Sequence, residues 1–367
     1  MKAPRIALVA PSLDILGGQG VQAAALADGL RGEGWDVALV PINPRFPRGL
    51  GWMRRHRYVR TVLNQALYLP GLARLRGADV VHVFSASYWS FLLAPAPAML
   101  AARALGKRVI LHYHSGEAED HLGRWGRLVH PWLALAHEIA VPSEYLRGVF
   151  ARHGYPTRVI ANVVDTSAFG YRERRTLRPR LLSTRNFEAH YRVENTLAAF
   201  ALLRRQYPQA TLTLAGYGRL EEGLRRQAAP LGGAVRFAGR VEPPAMPALC
   251  DEADVFVNSS VVDNQPVSIL EAFAAGLPVV STGTGDIAAM VRPGQTGLLV
   301  PADDPAAMAA AVAGLLESPD HALLLARRAR QETARYTWAA VRESWMGLYA
   351  EGTVGARPRP LVLESGR

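Results

Sequence analysis

Two carboxylates, Asp263 and Glu271, bracket the start of the stretch DNQPVSILEAFAAGLPVVST at 263–282. Pro266 opens a helix, since a first turn has no use for its missing N–H. Gly276 stops that helix before Leu277 and Pro278 restart the chain as a strand. Ser268, Ile269 and Leu270 then lie near the helix N-terminus, with Glu271 about 1.4 turns past Pro266. Free amides at such a terminus can hold a diphosphate, and flanking acids accept hydrogen bonds from hydroxyls. A ligand that is both phosphate and sugar fits. A plain helix with acids near its positive end, which is mildly stabilising, fits as well.

A second anion site is expected at GGQG, Gly17 to Gly20, between an apolar run and the helical stretch VQAAALADGL. Glycines there let backbone amides approach an anion, although a bare strand-to-helix turn has the same pattern. The loop is not G-x-G-x-x-G, and no G-x-x-x-x-G-K-[ST] occurs, so DEAD at 251–254 is a chance tetrapeptide. His112 and His114 close the run KRVILHYH on one strand face. Glu117, Glu119, Asp120 and His121 follow, but no D-x-D motif occurs in the chain. No metal and no cofactor are expected.

The elements that must position these residues alternate. Short apolar runs recur at 5–10, 36–41, 79–84, 107–114, 137–143 and 157–162, then at 180–185, 210–216, 234–239, 253–259, 278–282 and 297–301. Helical patterns such as NTLAAFALLRRQYP lie between most of them. Continuous apolar runs suit parallel strands covered on both faces. The alternation predicts an α/β fold of two Rossmann-like, doubly wound parallel sheets facing across a cleft. The expected domains are 1–165, completed by a helix around 338–352, and 166–337, with a loose tail at 353–367. Residues 163–179 carry no clear period and predict a linker.

The chain has 367 residues, 49% hydrophobic and 20% charged, as in soluble two-domain proteins. Its net charge of +11, from 42 basic and 31 acidic residues, points to anionic partners. Cys250 is the only cysteine, so no intramolecular disulfide forms. The N-terminal apolar run is broken by Pro11 and Asp14 and does not predict a signal peptide. The apolar region 80–105 contains His82, Pro95 and Pro97 and predicts a strand, a loop and a buried helix, not a membrane span.

ILEAFAAGLPVVST, followed by MVRPGQTGLLVPADD, closely resembles the C-terminal signature of family 4 glycosyltransferases, which have the GT-B fold. The resemblance extends to the GG loop, NVVDTSAF, TLAAFALL, LAGYG and VRFAGRV, and so covers nearly the whole chain. It implies a retaining enzyme that moves a sugar from a nucleotide-sugar donor by front-face displacement. In that family two glutamates in E-x(7)-E spacing mark the donor site. Glu271 matches the second, which binds ribose hydroxyls, and Asp263 replaces the first with a side chain one methylene shorter.

Backbone amides near Asn264, Gln265, Val267 and Ser268 would face the donor. Arg185 matches an arginine on the diphosphate, and Arg192 stands where a lysine is usual, with Val193 at a customary glycine. Gly17, Gly18 and Gly20 would complete the phosphate site, and the backbone of Val241 would face the base. His114 matches a histidine that contacts the donor sugar, so His114, Asp263 and Arg185 are the expected catalytic residues. Asp286 stands where the family has glycine.

In GT-B enzymes the N-terminal domain binds the acceptor. Between Asp36 and Asp79 this chain has no acidic residue, and arginines alternate there with aromatics. Trp52, Arg54, Arg55 and Arg57 mark an expected acceptor or membrane face. Such a surface suits anionic lipid headgroups. It also suits the solvated face of an Arg-rich protein. The expected partners are a nucleotide-sugar donor and a saccharide or lipid-linked acceptor, with an anionic membrane surface and without nucleic acid. The expected location is cytoplasmic, on the inner face of the plasma membrane, in cell-surface polysaccharide or glycolipid synthesis. A GT-B sugar-nucleotide epimerase and a non-catalytic polyanion- or lipid-binding descendant are the competing readings.

Overall fold

Every one of the twelve apolar runs contributes a strand. The computed structural model describes residues 4–351 apart from 13, 15, 16, 48, 50, 51, 54 and 55; the expected tail at 353–367 lies outside the described residues. Two compact units emerge, Met1–Ala161 with Val341–Arg367, and Asn162–Ala340.

The first unit carries β1 (Ile6–Ala10), β2 (Val37–Pro41), β3 (Val80–Ser85), β4 (Arg108–Tyr113), β5 (Glu138–Val141) and β6 (Arg158–Val159). They form one parallel sheet in the order β2-β1-β3-β4-β5-β6. Its helices are α1 (Gly18–Gly32), α2 (Arg57–Gly71), α3 (Tyr88–Leu93), α4 (Pro95–Ala104), α5 (Ala118–Leu133) and α6 (Glu144–Arg152). All of β1 and β3 is buried, as aliphatic runs covered by helices on both faces must be.

The second unit carries β7 (Arg180–Ser183), β8 (Thr211–Ala215), β9 (Val235–Gly239), β10 (Val255–Asn258), β11 (Val279–Thr282) and β12 (Leu298–Val300). Their parallel order is β12-β11-β10-β7-β8-β9. Its helices are α7 (Val193–Gln206), α8 (Glu221–Ala228), α9 (Met246–Glu252), α10 (Val267–Ala274), α11 (Ile287–Met290), α12 (Pro305–Glu317) and α13 (Pro319–Glu332). The division between units falls inside α14 (Trp338–Ala350).

Both orders reverse direction once. In the first sheet the reversal lies between β1 and β3, in the second between β7 and β10. Open α/β sheets bind ligands beyond the carboxyl ends of the strands at such a point.

The expected linker 163–179 forms no helix or strand, yet it is fixed to the second unit. Val164 and Phe169 are buried. The buried Arg174 donates from Nε to the Ala253 carbonyl, from Nη1 to Ala275 and from Nη2 to Cys250. One guanidinium thus reaches carbonyls at the ends of both α9 and α10, where a helix runs short of its own donors. Among the described residues no helix is long and apolar enough to cross a membrane. The region 80–105 resolves into β3, α3 and α4.

Candidate functional site

The second unit gathers Arg185, Ser260, Asp263, Ser268 and Glu271 at its switch point. Arg185 follows β7, and the other residues follow β10 in the loop and on the helix beyond it. Arg185 is only 9% exposed. It forms an ion pair with Asp263 and donates to Ser268 Oγ at 3.0 Å and to Ser260 Oγ at 3.3 Å. The Tyr191 ring lies 4.3 Å from its guanidinium carbon. Burial lowers the Arg185 pKa, while Tyr191 and Glu271 act against that.

Close backbone packing fixes Arg185. A Cβ on Gly216 would sit 2.1 Å from the Arg185 carbonyl oxygen, so only glycine lets the two strands' ends approach this far. Ser259 Oγ also hydrogen-bonds the Arg192 carbonyl at 2.6 Å and the Thr196 hydroxyl at 2.8 Å. These bonds tie the loop that carries Tyr191 to the end of β10.

Helix α10 starts at Val267, one residue later than a Pro266 in the first turn would give, with Pro266 as its N-cap. The amides of Val267 and Ser268 have no acceptor within the helix, as for any first turn. Glu271 is half-buried, and its pKa is pushed up from the ordinary 4.5 to about 7 by burial, against the pull of Arg185. A carboxylate so held gains from hydroxyl donors that restore its lost solvation.

Asp263 has a second bond: its Oδ1 accepts from the Asn264 amide at 3.0 Å. The Gln265 side chain works inside the protein. Its Oε1 accepts from the Asn162 amide at 2.7 Å, its carbonyl accepts from Asn162 Nδ2 at 2.8 Å, and its Nε2 donates to Asp286 Oδ2 at 3.2 Å. Asp286, unusual at a customary glycine, therefore anchors the loop that presents Asp263. Gly285 supports the same loop from a left-handed conformation, φ 57°. A Cβ there would lie 2.1 Å from the Asp263 carbonyl oxygen.

Arg192 caps α7 from the left-handed region, φ 48°, an uncommon place for a long side chain. Its side chain reaches Asp303 at 3.2 Å and Glu194 at 3.4 Å, so two acids share it in this state. Val241 is half-buried and packs against the hydrophobic cluster around Leu249 and Phe256.

The remaining expected residues lie in the first unit. Gly17 is the N-cap of α1, extended with φ −173°, and Gly18 starts the helix. A Cβ on Gly17 or Gly18 would meet no atom of the described residues within 4 Å, so nothing in the described fold requires glycine at either position. Gly20 is buried inside the first turn of α1. His114 follows β4, donates its amide to the Ser85 carbonyl at 3.2 Å and stacks on Phe84. His112 lies 3.9 Å from it, centre to centre, and His82 lies behind His112 at 5.2 Å. Burial holds His82 and His114 at about 3 and His112 well below the usual range, so all three are neutral. His82 shares a 2.6 Å hydrogen bond with the Tyr349 hydroxyl.

Glu119 pairs with Arg152, Asp120 with Arg124, and His121 with the Tyr113 hydroxyl. No group of metal-ligating side chains forms among the described residues. Trp52 is exposed beside His56, and Arg57 begins α2. Arg54 and Arg55 lie outside the described residues. Sequence reasoning missed Tyr191 and Ser260. Tyr191 was in view as the neighbour of Arg192; Ser260 carried no signal, because its partner is 75 residues away.

Residues 178–318 match the family described as Glycosyl transferases group 1, and residues 16–168 match Glycosyltransferase Family 4. A glycogen synthase of Mycobacterium tuberculosis is 31% identical over 323 residues, covering 83% of this chain and 76% of that protein. A phosphatidyl-myo-inositol mannosyltransferase of Mycolicibacterium smegmatis is 28% identical over 377 residues, covering 94% and 93%. Among solved structures, sucrose-phosphate synthase from Thermosynechococcus elongatus superposes with a TM-score of 0.74 at 21% identity, covering 94% of this chain and 98% of the other. Anabaena HepE in complex with UDP-glucose gives 0.72 at 18% identity, covering 94% and 98%. The two solved structures bear on the fold, which is GT-B, and the sequence matches bear on ancestry: the chain belongs to the family 4 glycosyltransferases.

Proposed function

We propose that this glycosyltransferase moves a sugar from a nucleoside diphosphate donor to a hydroxyl of a saccharide or lipid-linked acceptor, retaining the anomeric configuration, in cell-surface polysaccharide or glycolipid synthesis. The observation that carries the donor reading is the buried Arg185 guanidinium beside the N-terminus of α10, with Glu271 raised to about 7 one turn further on. A diphosphate would take Arg185 bidentately and lie on the α10 amides. It would displace Asp263 from Arg185 and leave that carboxylate for the sugar hydroxyls. Glu271 would accept from the ribose. Gly17 and Gly18, with no described atom within 4 Å of where a Cβ would stand, would offer the first amides of α1 to a phosphate, and Arg192 would leave its pair with Asp303 for the diphosphate.

In the transfer, the acceptor oxygen bonds to the anomeric carbon on the face that the diphosphate leaves. The bond from that carbon to the diphosphate oxygen breaks, and the acceptor's proton passes to this oxygen. Arg185 and the helix dipole oppose the developing negative charge, which is electrostatic catalysis. His114, neutral and half-buried, would offer a ring nitrogen to the sugar.

A membrane-associated acceptor is supported by α2. Tyr58 is 81% exposed, Val62 70%, and Ala66 and Leu69 continue the same outward face. The polar Asn64 is turned inward and donates to the Ile42 carbonyl at 2.8 Å. An apolar stripe facing outward beside arginines suits the headgroup boundary of an anionic bilayer. A relative named for phosphatidyl-myo-inositol fits a lipid acceptor. The reading includes a peripheral position on the cytoplasmic face.

Thermal melting with UDP-, GDP-, ADP- and TDP-sugars, on wild type and Glu271→Ala, tests the donor reading. A ligand at 100 times its Kd should add about 2.7 kcal/mol, a shift of roughly a few degrees. One base should act on wild type and lose its effect in the variant. No shift with any donor would reject the proposal in favour of a polyanion-binding protein. Donor turnover without acceptor would favour an epimerase.

A further inference from the structure

Beyond β3 in the first unit, next to the switch point between β1 and β3, three aromatic rings meet with nothing in the described fold covering one of them. Trp89 on α3 is 65% exposed and crosses the Trp125 ring edge to face at 5.4 Å, 89°. Tyr88 crosses Trp125 at 5.5 Å, 72°. Trp125 stands on α5, the helix that follows β4.

The polar groups around these rings are already held in place. The Tyr88 hydroxyl donates to Asp120 Oδ2, and Arg124 pairs with Asp120 Oδ1 at 2.7 Å. Beneath them a buried chain runs from Ser87 Oγ to the Tyr113 hydroxyl and on to His121 Nδ1, 2.8 Å at each step. Tyr88 also has φ 55°, in the left-handed region. Such a conformation is costly for an aromatic residue and persists only where its surroundings impose it. Here the bond to Asp120 and the packing on Trp125 impose it, and the residue after the strained one is the exposed indole.

Fixed indole faces with a carboxylate, a phenol and a guanidinium at their edge match the two surfaces of a pyranose ring. The C–H face of a sugar is apolar and stacks on an aromatic ring, while its equatorial hydroxyls need donors and acceptors in the ring plane. We propose that Trp89 and Trp125, with Tyr88, Asp120 and Arg124 at the rim, form the platform on which a sugar ring of the acceptor stacks. The assignment rests on the reading that the first unit holds the acceptor, and it specifies the acceptor as a saccharide at this point, recognised by a ring face. A lipid chain would need an apolar surface without Asp120 and Arg124 in its midst.

The test uses the full chain and neutral oligosaccharides of glucose, mannose, galactose and N-acetylglucosamine, two to three rings long. Saturation-transfer NMR reads which ring protons touch the protein. The expected result is transfer to the C–H protons of one ring face for at least one sugar, at least tenfold weaker binding in Trp89→Ala, and recovery in Trp89→Phe. The thermal shift produced by nucleotide-sugars should be the same in all three proteins. Trp89 is mostly exposed, so its removal leaves the core intact.

Unchanged sugar binding in Trp89→Ala, or no binding of any of these sugars to wild type, overturns the platform. So does a Trp89→Ala protein that keeps its sugar but loses binding to anionic vesicles, which would make this a membrane contact. Sugar binding that needs Trp89, in a protein that no nucleotide-sugar stabilises, leaves the platform standing and removes the donor reading instead.

Discussion

The guanidinium of Arg185 lies against the face of Tyr191 at 4.3 Å while its nitrogens reach Ser260, Ser268 and Asp263. A planar cation stacked on one side and hydrogen-bonded at its edge has one orientation. An ammonium at the same place would keep the charge and lose the plane. Arg185→Lys should therefore lower kcat/KM by about a hundredfold, on the order of 3 kcal/mol, as for loss of one well-aimed donor to developing charge. Tyr191→Ala should cost about 1 kcal/mol of donor affinity by releasing the stack. Steady-state kinetics with the donor identified by melting would check both, and a lysine variant with wild-type kcat/KM would remove Arg185 from the reaction.

Glu271 gives a pH signature of its own. Its folded pKa of about 7 lies above the ordinary 4.5, so the folded state holds a proton that the unfolded state has lost. Its stabilising contribution is complete below pH 4.5 and disappears as pH rises through about 7. Glu271→Gln should flatten stability between these values and be more stable than wild type at pH 8, on the order of 1 kcal/mol. Donor affinity should move the opposite way in wild type, rising with pH as the carboxylate forms. Urea melts from pH 5 to 8, with donor titrations at the same points, separate the two; a variant that keeps the wild-type slope contradicts the assignment.

The three clustered histidines of the first unit, His82, His112 and His114, predict acid sensitivity. His82 and His114 titrate at about 3 when folded and take protons near 6.5 when unfolded. Their contribution to stability is whole above pH 6.5 and is lost as pH falls toward 3. Each removes about 1.4 kcal/mol per pH unit below 6.5. His112 is depressed in the same direction, chiefly by burial. His112→Phe should keep the packing and shrink the drop in urea midpoint between pH 6.5 and 5, and an identical drop in the variant argues against a buried neutral imidazole there.

Gly285→Ala tests the loop anchor. The added Cβ would lie 2.1 Å from the Asp263 carbonyl, so the loop must move or the backbone must strain. Donor KM should rise at least tenfold with a destabilisation of about 1–3 kcal/mol. Asp286→Ala, which removes the bond from Gln265 Nε2 without adding bulk, should show the milder form of the same defect. A Gly285→Ala protein with unchanged melting and KM would show that the loop does not depend on this approach.

For α2 the prediction concerns membranes alone. Val62→Asp places a charge on the exposed stripe, away from the core, so melting should not change. Flotation with anionic vesicles at moderate salt should fall at least tenfold. If wild type itself stays in the unbound fraction, the membrane reading is lost.

The sheets were legible because parallel strands covered on both faces appear as continuous, mostly apolar runs, as in IALVA and VVHVFS. Helix α10 was legible because Pro266 and Gly276 mark its ends locally. The contacts that shape the site were not, because they join distant residues. Gln265 bonds to Asn162 across 103 positions and to Asp286 across 21, and the latter bond gives an acid at a customary glycine a partner. Arg174 lies in a stretch without period, and nothing local marks an arginine that donates to four carbonyls, those of Arg172, Cys250, Ala253 and Ala275. The left-handed backbone of Tyr88 has no sequence signature.

Helix α14 sets an order of assembly. Trp345 is 2% exposed and Tyr349 0%, and they close the first unit over His82 and His112. The second unit, Asn162–Ala340, is contiguous. During synthesis it can therefore finish while the earlier-made first unit still lacks the piece that closes it. The first unit waits, with its histidine face open to water, until α14 has cleared the ribosome.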